Sequence, residues 1–595
     1  MKKTTLLLLL ISFYSKAQTF NFQRSWGTYF GDYHNNIIDS KVDRKGDLYL
    51  VGVVKSYDGY VPPIITLANS FQPIYGGGDT DGYIAKFNNQ GQLVWMTYFG
   101  GEGSDEIDGI DIDTSNNIYI VGTTTSVNNI ASTNAYQTLL NGSSDFIIGK
   151  FTENGTRIWS SYFGGSGGEF AYPGTAPSTS SAKRLQISHD KFDSFYIAGY
   201  SMSPSMGDQN TFQPQQENTS CIITKFSNNG VKLWTTYYGY FIEGVSIDSW
   251  INGLSADQNG LYVRGTFFQY QPSFPYNNYF GDLNGVVPNP NVMYSSYLSK
   301  FDVNGNRIWS DYYGQRALAY ANSIAVYQDK IYFTGSTSQS SLITTTNSFQ
   351  ENLEGGSSPF LVQYNEDGTR GWGTFNGNNI NDPINSYSGN ASVTIDNLGG
   401  IYMSGRTNLN NNVATEGAYQ TNLAGGESDG YVSKFDVTGQ KIWGTYYGGE
   451  NQEMDMICHP YDSSFFLVGI TRSSTGITTP GAYQTELPTN TDVLPGESQA
   501  VFIAHFEPLP LTNASFENTI SIFPNPVANE ITVLNTNKSN ETFNYKIIDV
   551  TGRIIQSGKS VYNNKITVEE VTSGNYIIQI QDENGFVANK KLIKK

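Results

Sequence analysis

The sequence is poor in the residues on which metal and covalent chemistry most often depend. Its 595 residues include two cysteines, Cys221 and Cys458, and four histidines. Two cysteines in different parts of the chain provide no disulfide framework, so we expect two buried free thiols. No two histidines have the spacing of zinc ligands. The histidines are His34, His189, His459 and His505.

Two of these histidines follow similar residue pairs. His189 comes after Ile187-Ser188 and His459 after Ile457-Cys458, so we expect the two at equivalent positions. His505 replaces the lysine of a recurring Lys-Phe phrase, which predicts a tolerant surface or packing position.

Charged residues are scarce as well, at 15% of the chain, and their balance is acidic. A formal net charge of −18 opposes binding to phosphate backbones and anionic lipids, so we exclude a nucleic-acid partner. No stretch reaches the 18 or so apolar residues of a membrane-spanning helix, and we predict no transmembrane segment. The short apolar run 6–13 follows Lys2 and Lys3 and precedes Ala17. This pattern predicts a secretory signal peptide over residues 1–17.

Common catalytic motifs are missing too. The sequence has no Gly-x-Ser-x-Gly elbow, no His-Glu-x-x-His and no phosphate-binding loop. Residues 164–168 are glycine-rich, but no helix pattern follows, so we expect a loop. Acidic pairs such as Asp105 and Asp108 could transfer protons, although the sequence does not define their separation in space. We therefore predict no catalytic residue and no cofactor.

One segment resembles a calcium loop. Residues 111–117 supply alternating oxygen ligands, but Gly122 stands where an EF-hand loop needs glutamate. We interpret the aspartates that end this strand pattern as turn residues whose side chains bond the backbone, with calcium as the lesser alternative. These aspartates are Asp43, Asp113, Asp257 and Asp396.

What the sequence has in abundance is one phrase, a tryptophan with aromatic residues and glycine behind it. It occurs seven times, at intervals of 63 to 75 residues. Such a long and regular period indicates one supersecondary unit copied many times. The tryptophans are Trp26, Trp95, Trp159, Trp234, Trp309, Trp372 and Trp443.

Each repeat contains four strand patterns. In the second copy they cover residues 108–113, 117–122, 145–151 and 157–163. A short glycine-containing turn joins the third strand to the tryptophan strand, so these two should pair. Four-stranded antiparallel units repeated about an axis form a β-propeller. We predict an all-β fold with a seven-bladed β-propeller of four-stranded blades over residues 18–506.

The two ends of the repeat array complement each other. Trp26 has no third strand before it, and the third strand at Phe502–Phe506 has no tryptophan strand after it. We predict that residues 22–30 supply the outer strand of the last blade and close the ring.

The repeat resembles the seven-bladed β-propeller repeat (SBBP) of secreted bacterial proteins. The resemblance is carried by Trp-x-Thr-Tyr-Phe-Gly-Gly, Ile-x-Ile-Asp and Tyr-Ile-Val-Gly-x-Thr, and it covers roughly residues 22–506. The copy at Trp372 departs most, with Phe375-Asn376 in place of the aromatic pair. The resemblance implies a fold in which the tryptophans are structural, and no particular reaction.

A different module follows the repeats. Pro508 and Pro510 stiffen a linker over residues 507–515. Residues 516–595 then show about seven short alternating strands separated by turn residues, which predicts a small C-terminal β-sandwich.

This module resembles the type A C-terminal sorting domain of the type IX secretion system of Bacteroidota. The resemblance implies recognition by the type IX machinery and a second export step, across the outer membrane. A generic carbohydrate-binding sandwich is the alternative. The residues that match the sorting motifs are Pro524, Asn525, Pro526, Gly552, Arg553, Gly574, Tyr576, Lys590 and Lys591.

These patterns predict a secreted or surface-displayed, non-catalytic propeller that binds an extracellular protein or glycan. The loops after the second strands vary most, for example Phe267–Tyr297, and they suit recognition or serve only to cover blade edges. The alternative is a secreted propeller enzyme, a glycan hydrolase or lyase, that uses carboxylates at the channel mouth.

Overall fold

In the computed structural model the chain forms two compact units, Met1–Glu507 and Pro508–Lys595. The predicted signal peptide, His34 and most of the loop Phe267–Tyr297 lie outside the described residues. No described helix is long and apolar enough to cross a bilayer. The structure describes residues 20–595 except 33–34, 57–69, 172–184, 216–219, 240, 243–244, 247–248, 269–293, 316, 319–323, 339–342, 354–355, 378–390, 409, 411–412, 489–497, 510–516, 518, 539–540 and 584.

Within the described residues, the N-terminal unit contains seven antiparallel sheets of four or five strands. We number the strands in chain order and begin with β1 (Phe22–Phe30), which belongs to the seventh sheet. Sheet 1 contains β2 (Asn35–Val42), β3 (Leu48–Lys55), β4 (Thr80–Phe87) and β5 (Leu93–Phe99). Sheet 2 contains β6 (Asp105–Ile112), β7 (Ile118–Thr124), β8 (Asp145–Phe151) and β9 (Arg157–Phe163). Sheet 3 contains β10 (Glu169–Phe170), β11 (Gln186–His189), β12 (Ser194–Ser201), β13 (Ser220–Ser227) and β14 (Lys232–Tyr237).

The remaining sheets follow the same order, after a two-stranded ribbon of β15 (Phe241–Ile242) and β16 (Val245–Ser246). Sheet 4 contains β17 (Ser249–Asp257), β18 (Gly260–Phe268), β19 (Tyr294–Phe301) and β20 (Arg307–Gln315). Sheet 5 contains β21 (Ala317–Leu318), β22 (Ile324–Tyr327), β23 (Lys330–Thr337), β24 (Ser358–Asn365) and β25 (Arg370–Phe375). Sheet 6 contains β26 (Ser392–Ile395), β27 (Ile401–Thr407), β28 (Asp429–Phe435) and β29 (Lys441–Tyr447). Sheet 7 contains β30 (Glu453–Tyr461), β31 (Ser464–Thr471), β32 (Ala500–Pro508) and β1.

In every sheet the second strand pairs with the third, and in sheets 1 to 6 the third pairs with the tryptophan strand that follows it, as the glycine-containing turns predict. In sheet 1, Lys86 of the third strand pairs with Trp95 of the fourth. Strands such as β4 and β8 are buried along their whole length. Both faces of these strands pack against neighbouring sheets, which explains their dense apolar sequences.

The N-terminal strand occupies the position that the repeat ends predict. The strand order of sheet 7 is β1-β32-β31-β30, so β1 is its outermost strand. Ser25 Oγ lies 2.7 Å from His505 Nδ1, and Trp26 stacks on the imidazole ring. His505 is therefore a packed residue, one of the two environments expected for it.

Consecutive sheets share their cores. Each of seven apolar clusters among the described residues draws its side chains from two neighbouring sheets. One of these clusters joins sheet 7 to sheet 1, with Phe466 and Val468 packed against Leu48 and Leu50. The first long strands contact one another in the same cyclic order: β2, β6, β11, β17, β22, β26, β30 and again β2.

The repeated tryptophans bind each sheet to the next. Six of the seven donate the indole N–H to a main-chain carbonyl in a turn of the following sheet, a bond that contributes about 1 kcal/mol. Trp26 of sheet 7 does so to Asn89 of sheet 1, at 2.8 Å. The other pairs are Trp95–Glu153, Trp159–Asn228, Trp234–Val303, Trp309–Glu366 and Trp372–Val437.

Trp443 contacts a different structure because the last sheet has no such turn. The outer strand of sheet 7 is β1, which comes from the other end of the repeat array and is not joined to β32 by a turn. Phe20 instead packs edge-on against Trp443, with ring centroids 5.0 Å apart, and Phe22 lies 5.5 Å away. The residues that precede and begin β1 thus replace the missing turn.

The turn glycines complete this contact. Gly155 has φ +80°, and a Cβ built on it would lie 3.0 Å from the Trp95 ring. Gly481 has a similar φ, +78°, but has no atom within 4 Å of such a Cβ.

We expect Gly155→Ala to destabilise the N-terminal unit more than Gly481→Ala. Both substitutions impose left-handed backbone strain of about 1 kcal/mol, but only Gly155→Ala adds overpacking of about 1–3 kcal/mol against the indole. Denaturant unfolding of the two variants measures the difference. Equal losses would show that the indole contact contributes nothing.

The long loops after the second strands lie along the outer edges of their own sheets. In sheet 2, Ser132 donates its N–H to the Ser160 carbonyl, and Tyr162 donates to the Gln137 carbonyl. Equivalent bonds occur at β5, β14, β25, β29 and β1. These loops therefore cover edges that could otherwise pair with other chains, one of the two roles expected for them.

The C-terminal unit contains the seven strands that the sequence predicts, most of them longer by a few residues. One sheet is β33-β34-β37 and the other is β36-β35-β38-β39, and one apolar core draws on both. The strands are β33 (Ile520–Phe523), β34 (Glu530–Asn535), β35 (Thr542–Asp549), β36 (Ile554–Val561), β37 (Lys565–Thr567), β38 (Gly574–Asp582) and β39 (Val587–Lys594).

Candidate functional site

A cavity of about 690 Å³ in the N-terminal unit is lined by first strands from all seven sheets. Each of these strands contributes one residue that pairs with an aromatic residue of the second strand, so the seven positions are equivalent. We call these seven residues the channel ring. They are Lys41, Asp111, Ser188, Ser255, Ala325, Thr394 and His459.

Polar side chains in and beside the channel ring connect neighbouring sheets. Asp111 Oδ2 accepts a hydrogen bond of 2.8 Å from the His189 N–H, and Ser188 Oγ accepts one of 2.9 Å from the Ala256 N–H. Further contacts join Asp39 to Ile110, Thr394 to Cys458, and Ser40 to His459. Much of the polarity of the cavity wall is thus used to hold the sheets together.

Two ionisable groups of the channel ring have a pKa far below neutrality. Burial opposes the charge of Asp111, but Lys191, with Nζ 3.1 Å from Oδ1, and Lys41 bring the pKa of this carboxyl to about 2. Burial, with Lys41 nearby, lowers the pKa of His459 to about 3. A general acid or base works best with a pKa near the operating pH, so Asp111 and His459 are poorly suited to that role at neutral pH.

The histidine alignment expected from the sequence is wrong by one residue. His459 pairs with Phe466, whereas His189 pairs with Phe195, one residue before the equivalent Tyr196. The turn between β30 and β31 is two residues long, with Tyr461 paired to Ser464, whereas the turn between β11 and β12 is longer, since Asp190 still bonds to Ser194. This difference displaces the sequence pattern from the structural one. Only His459 belongs to the channel ring.

The Asp105–Asp108 pair does not form a proton-transfer site either. Asp105 Oδ2 accepts hydrogen bonds from the Gly101 N–H and the Ser126 hydroxyl, both at 2.7 Å, where sheets 1 and 2 meet. Asp108, in contrast, lines the channel cavity.

The aspartates at the ends of the first strands shape turns, as predicted. Asp113 Oδ1 accepts bonds from the backbone N–H groups of Ser115 and Asn117, and Asp43, Asp257 and Asp396 make the same kind of bond. A second cavity of about 500 Å³ lies beside several of these turns. Among the described residues, no group of three or more His, Cys, Asp or Glu side chains is arranged to hold a metal ion. Both cysteines are buried thiols.

In the C-terminal unit, the segment 524–526 lies against the end of the last strand. Asn525 Nδ2 donates to the Lys591 carbonyl at 2.7 Å, and Asn525 Oδ1 accepts from the Ile593 N–H at 2.9 Å. Two backbone bonds between Val527 and β39, at Ile593 and Lys595, extend the contact. Side chains some 65 residues apart in sequence therefore form one surface.

Comparison with known proteins fits both units. A family model described as a β-propeller repeat matches residues 94–131, and one described as a secretion system C-terminal sorting domain matches residues 521–595. The chain carries a β-propeller repeat and a secretion sorting domain. No curated protein matches it.

Some solved structures share distant similarity with the propeller-repeat chain. The endosialidase of phage phi92 has 10% identity and a TM-score of 0.36, over 95% of this chain and 78% of the endosialidase. The N11 neuraminidase-like protein of influenza virus A/flat-faced bat/Peru/033/2010 has 8% identity and a TM-score of 0.31, over 67% and 86%. Scores this low support no conclusion about activity.

The other motif residues of the sorting domain are spread over its turns and strands. Gly552, with φ +87°, and Arg553 lie in the turn that Asp549 caps, and Gly574 begins β38. Tyr576 is buried and donates its hydroxyl to the Thr572 carbonyl at 2.9 Å. Lys590 and Lys591 lie in β39.

An exposed apolar row crosses the four-stranded sheet of the sorting domain. The strand registers place Ile554, Ile548, Ile577 and Lys591 side by side. Ile554 is 50% exposed and Ile577 48% exposed, although each lies in a strand. The sequence does not predict this row, because the row depends on how four strands pair. It does not predict the role of Lys191 in the channel either, because that lysine lies in a turn.

Proposed function

We propose that this protein is a secreted or surface-displayed seven-bladed β-propeller that binds an extracellular macromolecule or glycan without catalysis. The proposal divides the chain into a signal peptide (1–17), the propeller (18–506), a linker (507–515) and the sorting domain (516–595). It also assigns export to the type IX secretion system.

The observation that carries the binding role is the channel cavity. First strands of seven sheets contribute to a single concave wall, and concave sites with a few convergent polar groups are where ligands usually bind. Two ionisable groups of that wall, Asp111 and His459, are bonded to neighbouring sheets and have pKa values far from neutrality. The edge-covering loops contribute less to a ligand site, because their backbone is used to cap outer strands.

A glycan array and a pull-down of extracellular proteins, both with the mature chain, test this proposal. Filling the channel with Ser255→Trp should abolish the binding found, because Ser255 belongs to the channel ring. The control Gln90→Trp places the same side chain on an exposed turn and should bind normally.

The same glycans supply the opposing outcome. Release of reducing ends or unsaturated products from them would replace the binding role with that of a hydrolase or lyase. Binding that survives Ser255→Trp would show that the ligand binds outside the channel.

A further inference from the structure

Three of the contacts between neighbouring sheets bring two buried carboxyl groups together. In each, an aspartate at or near the start of a third strand faces an acid that begins the next sheet, and every member is 0% exposed. We call these the acid pairs. They are Asp81 with Asp105, Asp145 with Glu169, and Asp429 with Glu453.

The two carboxyl groups of each pair converge on one glycine behind a tryptophan strand. A Cβ added to Gly100 would touch both Asp81 Oδ1 and Asp105 Oδ2. Gly164 and Gly448 stand in the same relation to the other two pairs. Only glycine leaves room there, which explains why this residue recurs in the repeated phrase.

The outer oxygens of the acid pairs are well supplied with donors. Asp81 Oδ2 accepts from the Gly76 N–H, and Glu453 Oε1 accepts from the hydroxyls of Thr471 and Ser473. In contrast, two of the oxygens that converge on the glycines, Oδ1 of Asp81 and Oδ1 of Asp429, are buried and accept no hydrogen bond. These oxygens need a donor or a positive charge.

No cationic side chain supplies that charge. Within the described residues, none of the six carboxylates forms an ion pair with lysine or arginine. Besides the partner acid, the titratable groups that face each carboxyl group are tyrosines. Arg24 bonds the hydroxyl of one of these tyrosines, Tyr447, and does not bond a carboxyl group of the acid pairs. The tyrosines are Tyr75, Tyr162, Tyr237, Tyr29 and Tyr447.

Burial and mutual repulsion both favour the protonated forms. Burial first, and then the neighbouring Asp105, raises the pKa of Asp81 to about 8. Burial, with Asp429 close by, raises the pKa of Glu453 to about 8, and burial raises that of Asp429 to about 6. Burial also raises the pKa of the other three carboxyls, Asp105, Asp145 and Glu169.

We infer that each acid pair holds one proton between its two carboxyl groups at neutral pH, and that this proton fastens adjacent sheets to each other. Two like charges this close and this buried cannot both persist at low cost. The folded protein then binds more protons than the unfolded chain between about pH 4 and pH 8. Its stability is therefore greatest on the acidic side of this window and declines as the pH rises through it.

Infrared spectroscopy of the mature protein tests the proton directly. The C=O band of protonated carboxylic acid should persist at pH 7, far above the normal range of Asp and Glu, and should disappear toward pH 9. Each of Asp81→Asn, Asp145→Asn and Asp429→Asn should remove about a third of the band. Absence of this band from the wild type at pH 7 would overturn the inference, whether or not any variant folds.

Thermal unfolding provides the second measurement. The wild-type melting temperature should fall between pH 5 and pH 9, and the triple Asn variant should show a flatter profile, because an amide N–H replaces the carboxyl O–H at every pH. The control Glu102→Gln removes an exposed acid close to Asp105 and should leave the profile unchanged. An unaltered slope in the triple variant would contradict the inference. So would a rise in melting temperature with calcium ions at pH 8 that the variant loses, since a metal ion would then supply the charge.

Discussion

Deletion of residues 18–30 is expected to lower the melting temperature of the propeller unit by roughly 10 °C or more. The deletion removes β1 and so exposes the hydrogen-bonding edge of β32 in sheet 7. It also removes the buried side chains of Phe20, Tyr29 and Phe30, each worth about 1.5–3 kcal/mol of burial.

The deletion cuts the molecule at two contacts between sheets rather than one. Trp26 connects sheet 7 to sheet 1 through Asn89, and Phe20 covers Trp443 of sheet 6. Loss of both weakens the packing of sheet 7 against sheet 1 and against sheet 6. We expect greater loss from this deletion than from any single substitution in a blade.

Two controls make the result specific to the strand. Gln23→Ala, a partly exposed change within β1, should leave the transition nearly unchanged. A synthetic peptide of residues 18–30, added to the truncated protein, should restore much of the lost stability. A truncated protein that melts like the full chain would show that β1 does not stabilise the ring.

Removal of residues 508–595 is expected to abolish export from a type IX-competent host, and fusion of residues 507–595 to a periplasmic reporter is expected to confer it. Both expectations follow from the sorting domain at 521–595. The comparison is made by immunoblotting of periplasm, cell surface and medium. A reporter that stays in the periplasm would show that residues 507–595 are not a sufficient export signal.

Asn525 offers a finer test of the same domain. Asn525→Ala removes the two side-chain bonds that hold the end of β39, at about 1 kcal/mol each. The fold should survive, because the core of the unit does not include this exposed residue. We therefore expect a folded domain with reduced export, whereas Asn589→Ala, an exposed change in the same strand, should be exported normally. Full export of the Asn525 variant would show that the contact between Asn525 and β39 is not part of the export signal.

Much of this architecture follows from periodicity. Seven tryptophans at near-equal intervals predict seven similar sheets, and the turn before Trp95 predicts that its strand pairs with the one before it. The unpaired Trp26 and Phe502–Phe506 predict the β1–β32 contact. These features could be predicted because each depends on residues close together in sequence or on the order of the repeats.

The candidate site could be predicted much less well. The channel ring depends on strand register, and the shorter turn after β30 moves His459 by one place relative to His189. The acid pairs join residues of different sheets, so the sequence suggested the wrong partner for Asp105. The contact of Asn525 with Lys591 likewise depends on how two distant segments pack.

The position of β1 has a consequence for biosynthesis. Strand β1 is hydrogen-bonded to a strand that is synthesised some 470 residues later. Until then its aromatic side chains lack their native contacts, so the growing polypeptide exposes an apolar segment while the intervening sheets are made. Pairings that span such separations also form slowly. A holdase that shelters this end during transit would thus speed maturation more than one acting on any internal blade.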